Sequence, residues 1–279
     1  VATVPSPTRA FPPALILVAG RGERLRPLTD QLPKPLVPDA HGTPLLAKWL
    51  ARLAQAGATR VVLNPCWLGE AITRFVGDGQ RWGVTVTYSH ESEPGLETAG
   101  GIRTALPLIG CDPFLVVNGD VDLASTFAIA DFVARATARF AADPALLAYL
   151  LLVPNPDDHP DGDFTLCPDG ALLPYPDPAR GTPYTFGGVA LYRAALVADL
   201  SPGQRAPLAP LLRAAIAAGR VAGEAFFGGW WDIGTAERLA WWRAATAAFS
   251  LEQPNQGCVQ ASSRAGTIGP FPGCQTNQG

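Results

Sequence analysis

Leu15–Pro38 reads LILVAGRGERLRPLTDQLPKPLVP. An apolar run that begins at Ala14 ends at Ala19-Gly20-Arg21-Gly22, and Arg24, Arg26 and Lys34 follow. A short apolar run without alternation predicts a strand covered on both faces, Ala14–Ala19, as found in parallel sheets. Glycines in a turn let backbone N–H groups approach an anion, and fixed cations neutralise its charge. The chain has nineteen arginines but only two lysines, and Lys34 stands between Pro33 and Pro35. The prolines stiffen the backbone, so a flexible ammonium is delivered from a fixed platform. The segment reads as a polyphosphate cradle at the end of a buried strand; the alternative is a solvated lysine in a proline-rich loop. It lacks the third glycine of the dinucleotide fingerprint and is not a GxxxxGK(S/T) loop. A bare GxG carries little information; the spacing GxGxRLxPLT followed by PKPL carries much more.

Working outward, apolar runs alternate with helical patterns. Thr43 as N-cap and Pro44 at the first helical position predict a helix with Leu45, Leu46, Trp49, Leu50 and Leu53 on one face and Gly57 as terminator. Strands are expected at Thr59–Asn64 and Val84–Tyr88, a helix at Leu68–Val76, and a short helix at Thr98–Leu106 opened by a Thr98 cap. Pro113–Val121, PFLVVNGDV, is the clearest central strand. A helix at Phe127–Phe140, a strand at Ala145–Val153 and a hairpin at Asp163–Leu173 turning on Pro168-Asp169-Gly170 come next. The rest reads as a strand at Tyr184–Tyr192, a helix at Leu208–Ala218, a strand near Val221–Phe226 and a final helix capped by Thr235. The β-α-β-α order of the first half predicts an α/β fold with a doubly wound, mostly parallel sheet, Rossmann-like, plus a small hairpin-containing part. Three segments are expected: a proline-rich leader at 1–13, one folded domain at 14–249, and a loose polar tail at 250–279.

Composition narrows the function classes. With 279 residues, 48% hydrophobic content, 16% charge and a net charge of −3, the chain reads as an ordinary globular protein with no nucleic-acid or membrane-surface partner. Cys66, Cys111, Cys167, Cys258 and Cys274 form no CxxC pair, which argues against a disulfide or zinc scaffold and suits a reducing cytosol. Cys66 and Cys111 read as packing residues in apolar surroundings. The leader lacks the apolar core of a signal peptide, and no apolar stretch reaches the roughly 18 residues that span a bilayer. His41, His90 and His159 are too dispersed for a triad.

Two aspartates complete the motif set. Asn118-Gly119-Asp120-Val121-Asp122 falls at the carboxyl end of the central strand, the edge where open α/β sheets bind ligands. Asp120 needs a partner there, and Mg²⁺, which prefers carboxylate and phosphate oxygens, would supply one. A turn aspartate capping the next helix is the alternative, a role that suits Asp122 better than Asp120. Asp232, in GGWWDIGT, is either a second carboxylate for the same ion or a cap for the last helix.

The spacing from Leu15 to Pro38 resembles the sugar-1-phosphate nucleotidyltransferases, whose signature is LAAGxGxRLxPLT with PKPL downstream. The resemblance extends over about Ala14 to Phe249 through NPCWLGEAI, GDGQRWGVTVTYSHE, LETAGGI, VNGDV, VPNPDDHPDGDF and WWDIGT. Val18 stands where the family has alanine, and Gly95 is an insertion ahead of Leu96-Glu97. The resemblance implies Mg²⁺-dependent nucleotidyl transfer from UTP to a sugar 1-phosphate, N-acetylmuramate 1-phosphate foremost, releasing pyrophosphate. Glucose-, mannose- or heptose-1-phosphate with GTP, dTTP or UTP are the alternatives. It implies a nucleotide site at Ala19, Gly20, Gly22, Glu23, Arg24, Lys34, Asn64, Glu97, Thr98 and Gly100, with Gly100 leaving room for a ring. Arg24 would meet the departing pyrophosphate, Lys34 the α-phosphate, and Asp120 and Asp232 the metal. Asn118, Asn155, Gly162, Asp163 and Gly188 would surround the sugar. Arg24, Lys34 and Asp120 would be the catalytic set.

A sugar 1-phosphate is already anionic, so such a reaction needs charge neutralisation and positioning rather than a protein nucleophile. Asp120-Val121-Asp122 also satisfies the D-x-D pattern of metal-dependent glycosyltransferases, which have no use for a triphosphate cradle. A non-catalytic sugar-nucleotide-binding regulator is the remaining reading; such a chain should have lost Arg24, Lys34 or an aspartate.

Overall fold

The computed structural model describes residues 11–249. The first ten residues of the expected leader and the tail from 250, with Cys258 and Cys274, lie outside that range.

The first half alternates as β1 (Ala14–Leu17), α1 (Leu45–Gln55), β2 (Arg60–Leu63), α2 (Gly69–Val76), β3 (Thr85–Tyr88), α3 (Glu97–Ile109) and β4 (Phe114–Asn118). There follow β5 (Val121–Leu123), α4 (Ile129–Ala142), β6 (Ala148–Val153), β7 (Phe164–Leu166), β8 (Leu172–Leu173) and β9 (Thr182–Tyr192). The described chain closes with α5 (Leu208–Ala217), β10 (Val221–Ala225), β11 (Trp230–Asp232) and α6 (Ala236–Phe249). The main sheet runs β10-β6-β9-β4-β1-β2-β3. The β1–β2, β1–β4, β2–β3 and β6–β10 pairs are parallel, while β9 is antiparallel to both β4 and β6.

Both faces of the sheet are covered, as the unbroken apolar runs require. Ala14, Ile16, Leu115 and Val117 face Leu46, Trp49, Leu50 and Leu53 of α1 and Phe132 of α4. Leu15, Phe114 and Val116 face Ile102 and Ala105 of α3 and Leu208 and Leu212 of α5. Each fully buried leucine or isoleucine contributes roughly 2 kcal/mol relative to exposure. A third cluster, Leu25, Val37, Leu45, Ile233, Leu239 and Trp242, packs α6 onto the loop that carries Lys34.

The strand order creates the ligand crevice. From β1 the chain winds outward through β2 and β3, then returns through α3 to β4 on the other side of β1. The carboxyl ends of β1 and β4 therefore diverge at a topological switch point. There Gly119 N–H donates to the Leu17 carbonyl at 2.9 Å, and a Cβ at Gly119 would lie only 2.5 Å from that oxygen. Only glycine fits this crossing.

Several local expectations change. The run Pro113–Val121 is two strands, β4 and β5, broken at Gly119-Asp120; β5 leaves the main sheet and pairs antiparallel with β11. Thr98 does not cap α3, which begins one residue earlier at Glu97 with Glu97 itself at φ 57°. Pro44 is extended, with ψ 147°, and α1 starts after it, so Thr43 makes no cap. Asp122 caps nothing: it is buried in β5, ion-paired with Lys48 at 2.6 Å and accepting from Trp242 Nε1 at 2.9 Å. Thr235 does cap α6, its Oγ1 accepting from Arg238 N–H at 3.3 Å. Cys111 is exposed rather than packed, and burial together with Glu91 and Glu93 raises the pKa of the Cys66 thiol.

Candidate active site

A cavity of about 290 Å³ opens at the switch point, walled by Val18, Ala19 and Gly20 from the end of β1 and by Asn118, Gly119 and Asp120 from the end of β4. The glycine turn that follows β1 is pinned from outside. Gly22 adopts φ 69°, its carbonyl accepts from Thr29 Oγ1 at 2.8 Å, and the Thr29 carbonyl accepts from Trp67 Nε1 at 2.8 Å. Arg21 lies 3.9 Å over the Trp67 ring. A Cβ at Gly22 would press on Thr29 and Lys34 at 3.0 and 3.3 Å, so the turn needs glycine on steric as well as dihedral grounds. Gly20 has open space before it. Glu23 and Arg24 are exposed, and the Arg24 guanidinium lies over Gly234, 2.8 Å from where a Cβ would be.

Lys34 is 8% exposed and its Nζ is 2.7 Å from Asp120 Oδ2. The flanking prolines and the α6 cluster hold the loop that aims it. Asp232 comes from the opposite end of the sequence. In the β5–β11 ladder it lies opposite Val121, and Ile233 N–H donates to the Asp120 carbonyl at 2.9 Å. The ladder therefore sets two carboxylates side by side. Burial, and then the charge of Asp120, raise the pKa of Asp232, against the pull of Lys34, Arg238 and Arg24. Two crowded carboxylates of this kind fit a divalent cation, which would relieve their repulsion. Among the described residues no cluster of three or more His, Cys, Asp or Glu side chains is placed to hold a metal. A cation here would complete its shell with phosphate oxygens and water. Arg238, which sequence reasoning missed, contacts Asp232 and also Asp158 at 2.6 Å. Its place one turn into a helix after a catalytic-looking aspartate was the available signal.

The opposite wall is built around a second missed residue, Glu91. Asn64, 2% exposed, accepts from Val18 N–H at 2.7 Å and donates to Glu91 Oε1 at 2.7 Å, while Glu91 Oε2 accepts from Leu96 N–H at 2.7 Å. Burial nonetheless holds the Glu91 pKa above the usual carboxylate range. This relay fixes the Pro94–Thr98 wall, including Gly95 at φ 87°, against the glycine turn. Glu97 and Thr98 line the cavity, with Glu97 paired to Arg205 at 2.9 Å. Gly100 stands behind the wall instead of offering a face to a ring: a Cβ there would meet the Gln204 carbonyl at 2.3 Å.

The expected sugar residues divide. Asn118 and Asp163 share a second cavity of about 400 Å³ with Thr98. Asp163 is oriented by Phe186 N–H at 2.8 Å and by His159 at 3.3 Å. Gly188, at φ 78°, lets the chain pass Asn118, 3.2 Å from where a Cβ would be. Asn155 belongs to a different cavity, beside Trp230, Asp232 and Arg238, and shapes a loop by donating to the Pro160 and Pro183 carbonyls. Gly162 packs against Asn155, so both act on the loop that presents Asp163.

The nucleotidyl transferase family matches residues 13–158. The N-acetylmuramate alpha-1-phosphate uridylyltransferase of Neisseria meningitidis serogroup B is 47% identical over 226 residues, covering 81% of this chain and 94% of that protein. The protein of the same name from Caulobacter vibrioides is 32% identical over 228 residues, 79% of this chain and 91% of that one. A Bacillus anthracis structure assigned as a glucose-1-phosphate thymidylyltransferase superposes with TM-score 0.72 at 21% identity, covering 89% of this chain and 98% of its own, a likeness of fold.

Proposed function

This chain belongs to the nucleotidyl transferase family, among the sugar-1-phosphate nucleotidyltransferases, and from that premise we propose that it transfers the uridylyl group of UTP to N-acetylmuramate 1-phosphate. An oxygen of the sugar phosphate attacks the α-phosphorus of UTP. The bond to the oxygen bridging α and β breaks, and pyrophosphate leaves as UDP-sugar forms. The observation that carries this chemistry is the meeting of Lys34, Asp120 and Asp232 at the β1/β4 switch point, beside an open glycine turn.

The obstacle is repulsion between two anions together with charge gathering on the departing pyrophosphate. Backbone N–H groups of Ala19, Gly20, Gly22 and Glu23 receive the triphosphate, and Arg24 takes the oxygens that leave. Lys34, presented from its proline platform, neutralises the α-phosphate. Asp120 and Asp232 would hold Mg²⁺, which supplies charge neutralisation for the phosphates. Thr98, Glu97 and the Asn64–Glu91 relay shape the wall for the base, and Asn118, Asp163 and Gly188 the wall for the sugar. We place the reaction in the cytoplasm, where both phosphorylated substrates occur; among the described residues no helix is long and apolar enough to cross a membrane.

Release of pyrophosphate, measured for four nucleoside triphosphates against a panel of sugar 1-phosphates, tests the reading. The highest kcat/KM is expected for UTP with N-acetylmuramate 1-phosphate. Turnover with no pair would defeat the enzymatic reading, and turnover with glucose or mannose 1-phosphate alone would remove the muramate assignment.

A further inference from the structure

We propose that Arg213 is the residue that recognises a carboxylate on the acceptor sugar, an inference that rests on the muramate reading above. The difference between N-acetylmuramate and its plain amino-sugar counterpart is one lactyl ether ending in a carboxylate. A protein that prefers the first must offer that carboxylate a cation inside the sugar pocket.

Arg213 is on α5, whose Leu208 and Leu212 are anchored in the core, and it lines the cavity that also holds Thr98, Asn118 and Asp163. Thr98 and Asn118 line the triphosphate cavity too, so the two spaces share a wall. The Arg213 Nε is buried and has no hydrogen-bond partner. Among the described residues no carboxylate lies within 4.0 Å of its guanidinium, which instead rests over the Tyr175 ring at 5.1 Å from the centroid. Two other arginines are already engaged. Arg205 is held by Glu97 at 2.9 Å and Arg103 by the Leu200 carbonyl at 2.6 Å. The two acids of the cavity are engaged as well, Glu97 by Arg205 and Asp163 by Phe186 N–H and His159.

Arg213 is thus a half-buried cation that lines the sugar side of the pocket beside an aromatic ring, with no carboxylate partner among the described residues. The Nε is closed off from solvent, but the terminal nitrogens make no hydrogen bond or ion pair among the described residues, and an incoming carboxylate engages them with a charge-assisted, two-pronged contact. The same arrangement discriminates, because a site built to bond a substrate group loses affinity for the analogue that lacks it.

The test compares kcat and KM for N-acetylmuramate 1-phosphate and N-acetylglucosamine 1-phosphate, with UTP, in the wild type, Arg213→Met and Arg213→Lys. Arg213→Met is expected to raise KM for the muramyl substrate about 30-fold or more while leaving kcat and all constants for the glucosamyl substrate within about threefold. Arg213→Lys, which keeps the charge without the fork, is expected to lie between. Equal losses on both substrates would mark a structural residue and overturn the assignment. A muramyl preference that survives Arg213→Met would overturn it while leaving the proposed reaction intact. Wild-type activity with the glucosamyl substrate alone would remove the muramate reading and this inference together.

Discussion

Lys34 Nζ sits 2.7 Å from Asp120 Oδ2, joining the proline platform after β1 to the turn after β4. This contact spans the switch point, so each residue depends on the other's strand for its place. Lys34→Ala or Asp120→Ala is expected to lower kcat/KM by at least about a hundredfold, as loss of a preorganised electrostatic group does. Pyrophosphate release measures it, and near-wild-type turnover in both variants would refute their roles.

Gly119 predicts a steric effect with a catalytic consequence. A Cβ would lie 2.5 Å from the Leu17 carbonyl oxygen, which belongs to the rigid centre of the sheet. Gly119→Ala is expected to cost about 1–3 kcal/mol by denaturant unfolding. Because the displaced turn carries Asp120, activity should fall even where the variant remains fully folded.

The buried knot behind the site predicts a larger loss. Asp122 receives Lys48 at 2.6 Å, Trp242 Nε1 at 2.9 Å and its own neighbour's N–H, Leu123, at 2.9 Å. Asp122→Ala leaves the Lys48 ammonium with only Asp39, at 3.4 Å, and strands an indole N–H, and is expected to destabilise by roughly 3 kcal/mol. Trp242→Phe removes one donor and some packing and should cost less. Urea titrations of the two variants and the wild type check the order.

Glu91 gives a pH prediction. Burial raises its folded pKa above the ordinary 4.5, so within the interval between the two values the folded state binds more protons than the unfolded one. Stability then falls as pH rises through that interval and levels off above it. Glu91→Gln should remove this slope. Thermal unfolding of both proteins across mildly acidic pH tests it; identical slopes would count against the effect.

Much of this molecule is legible along the chain because the sheet is covered on both faces. Runs such as Leu115, Val116 and Val117 are apolar at every position, since alternate residues feed opposite cores. The approach of Lys34 to the glycine turn was legible because the two lie close together in sequence. What stayed hidden depended on partners far away. Asp122 resembles a cap when read locally, and only its distant partners Lys48 and Trp242 make it a buried acceptor. The break at Gly119-Asp120 is easily read through because the apolar run Phe114–Val117 resumes at Val121 and Leu123; the close crossing over Leu17 explains it. Arg213 and Glu91 carry no local pattern, and the folded packing alone gives them their partners or denies them.

The β5–β11 ladder sets a timetable for synthesis. Lys34 and Asp120 leave the ribosome early, with the parallel strands that position them, while Asp232 arrives only with β11 and the docking of α6. A nascent chain can thus possess the complete glycine turn and its lysine yet lack the second carboxylate. On the roles proposed above, the growing polypeptide gains its full pair of metal-holding carboxylates only when α6, the last described helix, packs against the loop after β1.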